Sequence, residues 1–237
     1  MFRRLFLACL LLCASAFGQQ PEVIKTQLVT VALNLHDTTL YYRTGEEIKE
    51  FTAGMNGLGD PFPYLGPRRF ILHTSKEAFE PVKEGQKPPV PAAFVDLPER
   101  SSRVLLVCVP MPDKTLRLIA YDIAKNSMKD GDYKVFNFSK SNLSIILGEK
   151  SFIVPTSKDV QVSDNSWQQG VIDLQCKIGI IQPDNKSAQP AYTSVWGHRP
   201  IRRNMIFIFD GVRSDKTVQV RRFYDIIIPD ADTSATQ

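Results

Sequence analysis

Val29-Thr30-Val31-Ala32-Leu33-Asn34-Leu35 alternates strictly. Val29, Val31, Leu33 and Leu35 fall on one face of an extended chain, and Thr30, Ala32 and Asn34 on the other. A two-residue period is the signature of a strand, because successive side chains of a pleated backbone point to opposite sides. The same habit recurs over residues 39–43, 47–52, 69–73, 92–96, 104–109, 116–123, 133–138, 143–147, 151–154, 159–162, 171–181, 191–196, 205–209 and 217–227. These runs are short, rich in Val, Ile, Phe and Tyr, and separated by Gly, Pro, Asn, Asp and Ser, which predicts an all-β chain of sandwich or barrel type. No window sustains a 3.6-residue period, and residues 75–82 promise a helical turn or two at most.

Two stretches break the pattern. Residues 54–67 hold Gly54, Gly57, Gly59 and Gly66 together with Pro61, Pro63 and Pro67, and read as a loop. Residues 85–98 carry Pro88, Pro89, Pro91 and Pro98 and read as extended, partly polyproline II. A polar break over 124–132 lies near the midpoint. The favoured organisation is therefore two β-sandwich modules in tandem, 20–126 and 127–230, followed by a polar tail over 231–237. One larger sandwich is the alternative, and no clear internal sequence repeat argues for duplication.

The N-terminus has a different character. Arg3 and Arg4 precede the apolar run from Leu5 to Ala14, and the small residues Ala14, Ser15, Ala16 and Gly18 follow. Cation, apolar core and small residues in that order predict a cleavable signal peptide over 1–18, cut after Gly18, with the Ala14/Ala16 pair as second choice. The apolar core is shorter than the roughly 20 residues a membrane-spanning helix needs. No later segment approaches that length, so the mature chain is expected to be soluble and exported, periplasmic or secreted.

Removing the signal changes two further readings. Arg3 and Arg4 leave with it and no acid does, so the formal charge falls from +4 to +2. That removes most of the hint of a nucleic-acid partner. Of the 4 cysteines, Cys9 and Cys13 also leave, and Cys108 and Cys176 remain. An oxidising compartment would favour a Cys108–Cys176 disulfide. Both nevertheless sit in apolar alternating runs, where cysteine also serves as a small buried hydrophobe.

The stretch Gly131-Asp132-Tyr133-Lys134-Val135-Phe136-Asn137-Phe138-Ser139, then a short strand, the turn Gly148-Glu149-Lys150 and another strand, resembles Ig-like modules of uncharacterised bacterial envelope proteins. The runs Tyr192–Trp196 and Arg203–Phe209 are similar to the same group. The resemblance covers roughly the second half and implies fold and export. It carries no catalytic residues, since such sandwiches host many functions.

Few residues suggest chemistry. His36, His73 and His198 lie in distant segments, none with a second ligand at metal spacing. Cys108-Val109-Pro110-Met111 lacks the histidine of a blue-copper site, and no Gly-x-Ser-x-Gly elbow is present. The glycines from Gly54 to Gly59 are followed by Pro61 and Pro63, which forbid the helix a phosphate loop needs. No carboxylate pair stands out for glycoside hydrolysis. No cofactor and no metal is therefore expected. Asn137, Asn142 and Asn185 each begin an Asn-x-Ser triplet, relevant only in a eukaryotic host.

The most suggestive patch is Trp196-Gly197-His198-Arg199-Pro200-Ile201-Arg202-Arg203. Trp196, His198, Arg199, Arg202 and Arg203 are its candidate binding residues, gripping an anionic or sugar-like ligand by stacking and forked hydrogen bonds. In the competing reading Trp196 closes the end of a core and the arginines are solvated or paired with acids. The leading functional expectation is a non-catalytic envelope protein that binds or scaffolds an envelope protein or glycan. The alternative is a secreted hydrolase or carbohydrate-active enzyme with a loop-built site.

Overall fold

The computed structural model describes residues 22–33, 39–55, 57–111, 115–170, 172–183, 187–212, 214 and 216–226. The expected signal peptide, His36, Asn185 and the expected tail over 231–237 lie outside the described residues.

The chain is all-β. Its strands are β1 (Val23–Ala32), β2 (Leu40–Thr44), β3 (Glu47–Phe51), β4 (Phe62–Pro67), β5 (Arg69–Leu72), β6 (Ala93–Asp96), β7 (Arg103–Pro110) and β8 (Leu116–Asp122). They continue with β9 (Tyr133–Asn137), β10 (Leu143–Leu147), β11 (Lys150–Val154), β12 (Asp159–Val162), β13 (Ile172–Ile181), β14 (Ala188–His198), β15 (Arg203–Asp210) and β16 (Val218–Asp225). Two short 3-10 helices, Glu77–Phe79 and Asn165–Gln169, complete the regular structure among the described residues. Each strand predicted from alternation is present. β4 is an addition, since its Pro63, Gly66 and Pro67 had read as loop. It sits at a sheet edge, paired antiparallel with β1 on one side, and an edge position tolerates proline's missing N–H.

The pairing pattern of β1–β8 is repeated by β9–β16. One sheet runs β4-β1-β7-β8 and another runs β12-β9-β15-β16. In each, the first strand of the half lies parallel to the seventh, β1 on β7 and β9 on β15. The hairpins β2–β3 and β5–β6 match β10–β11 and β13–β14. A single bridge, Tyr41 to His73, joins the first two hairpins where β10 and β13 form a continuous ladder. With this register in hand, residues 40–51 and 143–154 align without gaps. Leu40 then matches Leu143, and the turn residues Gly45-Glu46 match Gly148-Glu149. Gly45 and Gly148 adopt φ of 55° and 58°, the left-handed region that a two-residue hairpin loop with glycine first requires.

Three apolar clusters hold the layers together. Leu28, Tyr42, Phe70, Leu72, Val104, Leu106 and Cys108 pack in the first half, and Tyr133, Ile145, Trp167, Cys176, Ile178, Trp196 and Ile206 in the second. The third cluster joins the halves: Val29, Val31, Leu105 and Val107 meet Phe136, Met205, Phe207 and Phe223. The opposite faces of β1, β7, β9 and β15 thus serve different cores. That explains why β7 and β15 read as nearly unbroken apolar runs, as strands covered on both faces do. Each such side chain contributes about 1.5–3 kcal/mol on burial. The polar break at the midpoint is docked rather than loose. Met128 is fully buried in the third cluster, and its N–H and that of Ser127 both bond to the carbonyl of Ala124.

Candidate functional site

The segment from Trp196 to Arg203 leaves β14, turns, and enters β15. It does not present its candidate residues together. Trp196, His198 and Arg203 are buried, Arg202 is half-buried and Arg199 is exposed. Alternation along β14 sends Trp196 and His198 into the second core, whereas Arg203 is already the first residue of β15.

His198 is wholly buried and forms the floor of an aromatic nest. Its Nε2 lies 2.8 Å from the carbonyl oxygen of Trp167, and its Nδ1 lies 3.2 Å from the Tyr133 hydroxyl. A carbonyl only accepts, so Nε2 carries the proton and Nδ1 accepts from Tyr133. Burial lowers the imidazole pKa, although the bond to the Trp167 carbonyl opposes it. Burial raises that of Tyr133. The rings of Tyr133 and Trp167 meet edge to face at 5.3 Å. A neutral, fully engaged imidazole of this kind holds the core in place.

Arg203 is likewise consumed. Its Nη2 bonds to Oδ2 of Asp225, and its Nη1 donates to the carbonyls of Ile123 and Met128. The other carboxylate oxygen of Asp225 accepts from Nη2 of Arg103 at 2.8 Å, and Nη1 of Arg103 donates to the Gln27 side chain. One buried carboxylate therefore serves two buried guanidinium groups, one from each half of the chain. Burial lowers the Arg203 pKa, with Asp225 opposing the shift. The Nε atoms of Arg103 and Arg203 have no hydrogen-bond partner. Arg103 and Asp225 carry no sequence signal of this role, because their separation of 122 residues appears only in the folded chain.

Arg222 joins the patch from β16. Alternation turns it toward the second core, where its guanidinium stacks 4.6 Å from the Trp196 ring and 5.4 Å from that of Tyr224. Arg202 covers Tyr224 at 4.9 Å. The result is a cation–aromatic ladder, Arg202–Tyr224–Arg222–Trp196, that closes the side of the second half between β14 and β16. Such contacts are worth about 0.5–2 kcal/mol each.

The other candidates resolve into structural roles. Cys108 and Cys176 are free thiols, the buried-hydrophobe alternative rather than the bridge: one lies in the first core and the other in the second. Burial pushes both thiols up to about 12. Asn137 is buried, its amide donating to the carbonyls of Ser141 and Val154 while its oxygen accepts from Ser139, so it is no surface acceptor. The glycine loop lies on β1, with the Gly59 N–H on the Thr30 carbonyl and the Ala32 N–H on the Gly54 carbonyl. It continues the ladder where β4 stops. A Cβ on Gly54 would come within 2.3 Å of the Gly59 nitrogen.

Among the described residues, no group of three or more His, Cys, Asp or Glu could hold a metal ion. A cleft of about 610 Å³ opens beside the midpoint segment, lined by Lys125, Lys129, Asp130, Asp132, Gln161 and Asp164 among others. Two of its acids are engaged: Asp132 accepts from Gln161 and the Lys129 N–H, and Asp164 pairs with Lys150.

The most distinctive surface is an edge. Among the described residues β14 pairs with β13 alone, and its 11 residues, Ala-Gln-Pro-Ala-Tyr-Thr-Ser-Val-Trp-Gly-His, include no Asp, Glu, Lys or Arg. The other outer strands are guarded. β3, β6, β8, β11, β12 and β16 all carry charged residues, and β4 carries Pro63 and Pro67. β14 has Pro190 and a register shift opposite Gly179, but both guard its first half. From Tyr192 to His198 the strand itself carries no such device, although Arg222 of β16 stacks on Trp196 beside it, and Val195 is 60% exposed.

Among the described residues no helix is long and apolar enough to cross a membrane. Comparison with protein-family models found no matching family, and comparison with curated proteins found no matching relative.

Proposed function

We propose that the chain is an exported, non-catalytic binding or scaffolding protein of the bacterial envelope, built from two Ig-like sandwich modules in tandem. Its binding element is the free edge of β14. The tandem reading is supported by the strand order, which is the same in β1–β8 and β9–β16. The observation that carries the binding reading is the uncharged run Tyr192–His198 on a strand that, among the described residues, is paired from one side only. An edge strand presents a row of backbone donors and acceptors, and an extended segment of another polypeptide completes that ladder. Side chains that alternate in and out leave Thr193, Val195 and Gly197 on the outer face, where they give the register its selectivity. A polypeptide partner fits this chemistry better than a glycan, which offers no complementary ladder.

A photo-crosslinking residue at Thr193, tested in intact envelopes, is expected to trap a discrete polypeptide adduct. The same residue at Ser151 on β11, the opposite edge of the sheet, is expected to trap none. Equal trapping at both positions, or at neither, removes the edge as the binding element. Intact-mass analysis of the exported chain is expected to show a start near Gln19, and a retained Met1 removes the export reading.

A further inference from the structure

We infer that the stretch Lys87-Pro88-Pro89-Val90-Pro91, between β5 and β6, is a docking segment for a folded partner domain. The partner's groove is lined by aromatic side chains and bordered by acids, and it receives the segment as a polyproline II helix. The inference stands apart from the β14 edge, which belongs to the other half.

The internal repeat singles the segment out. β13 and β14 are joined by the six residues 182–187, whereas the equivalent β5 and β6 are joined by the twenty residues 73–92. A connection of that length in a compact domain is uncommon, and those that occur are mostly functional or slack linkers. This one is not slack, because it is fixed at both ends. At its entrance Arg43 donates to the Phe79 carbonyl and covers the Phe79 ring at 5.6 Å. Phe79 in turn meets the buried His73 ring edge to face at 4.8 Å. At its exit the His73 imidazole donates to the Val90 carbonyl, and the Ala92 N–H bonds to the Leu72 carbonyl. His73 thus ties entrance to exit. Between them a tight turn closes from Lys83 to Gln86, with Gly85 at φ 83°. What the staples hold up is surface: every residue over 81–90 is exposed, and Val90 is 88% exposed.

The chemistry of the stretch selects the mode of docking. Each proline fixes its own φ at about −65° and bars the preceding residue from the helical region, so residues 87–90 are held extended by their covalent structure. Three of the five residues have no N–H, and such a stretch cannot add to a sheet edge as a strand. A polyproline II helix has three residues per turn, which puts Lys87 and Val90 on one edge and Pro88 and Pro91 on another. Pro91 is half-buried at the foot of the segment, so Lys87, Pro88, Pro89 and Val90 form the docking surface. Aromatic grooves accept ridges of this kind, and little entropy is lost on docking because the prolines have already removed it. Lys87 supplies the cation that acids beside the groove would pair.

The test places a photo-crosslinking residue at Gln86, exposed and just outside the ridge, in the full chain in intact envelopes. Mass spectrometry then maps the crosslinked peptide. The expected adduct is one polypeptide, joined beside a groove of Trp or Tyr side chains. Binding of that polypeptide, once purified, to the full mature chain is expected to weaken at least about tenfold with Pro88→Ala/Pro89→Ala. Lys83→Ala, at the far side of the Gly85 turn, is the control and is expected to leave binding unchanged. All three positions are exposed, so the fold is expected to persist, and thermal unfolding checks this. No adduct at Gln86, an adduct on a surface without an aromatic groove, or an affinity that the double alanine leaves unchanged overturns the inference. None of these outcomes bears on the β14 edge, which is tested at Thr193.

Discussion

Arg103 and Arg203 open equivalent strands of the two halves, β7 and β15, and both close on the same carboxylate, Asp225. The contact joins the halves electrostatically where the third cluster joins them by packing. It also concentrates risk, because a buried ion pair stripped of one partner leaves an uncompensated charge.

Asp225→Asn is therefore expected to cost about 3–5 kcal/mol in urea unfolding, since two buried guanidinium groups lose their counter-charge together. Arg103→Met should cost less, because Asp225 keeps Arg203. Arg199→Ala, on an exposed turn, is expected to stay within about 0.5 kcal/mol. An Asp225→Asn protein as stable as the parent would show that the carboxylate contributes nothing net.

Acid sensitivity should begin above the carboxylate range. His198 and His73 both have pKa values lowered by burial. The unfolded chain therefore binds protons that the folded chain refuses. Stability is full above the ordinary histidine value of about 6.5 and falls as the pH drops through it, levelling off below the lowered folded values. Urea midpoints measured from pH 8 to pH 5 should decline accordingly, and His198→Gln should flatten part of the slope.

The two thiols should be silent in the native state. A thiol reagent is expected to label Cys108 and Cys176 only after denaturation, with no mobility difference between reduced and non-reduced samples of the folded chain. Rapid labelling under native conditions would contradict their burial.

Gly54→Ala and Gly57→Ala form a matched pair. A methyl on Gly54 meets backbone of Gly59 at 2.3 Å and of Gly57 at 2.4 Å, whereas one on Gly57 meets nothing within 4 Å. The first is expected to destabilise by about 1–3 kcal/mol, as overpacking does, and the second to be nearly neutral. Thermal unfolding distinguishes them.

Much of the architecture was legible from alternation alone, because a pleated strand with one face in a core writes its period into the sequence. β4 escaped because Pro63, Gly66 and Pro67 mark an edge as readily as a loop. The candidate patch was legible only in composition. Trp196 and His198 obey the alternation of β14 and turn inward. Arg202-Arg203 looks like a solvated pair until β15 is seen to start at Arg203. No local pattern reveals that a buried arginine has its acid 22 residues away, or that a second arginine shares it. The kinship of residues 40–51 with 143–154 rests on three identities, and strand pairing had to supply the register before it could be seen. The openness of β14 was written plainly, as the absence of charge, but it has meaning only once β14 is known to be an edge.

Chains are made from the N-terminus onward, and Asp225 lies in the last of the sixteen strands among the described residues. Arg103 therefore waits through most of synthesis for its counter-charge, and so, more briefly, does Arg203. The first half can gather its own apolar core early, yet it cannot bury Arg103 on favourable terms until β16 docks. The shared carboxylate thus acts as a completion signal: a chain interrupted before β16 leaves the facing surfaces of β7 and β15 charged and open, and distinguishable from the finished molecule.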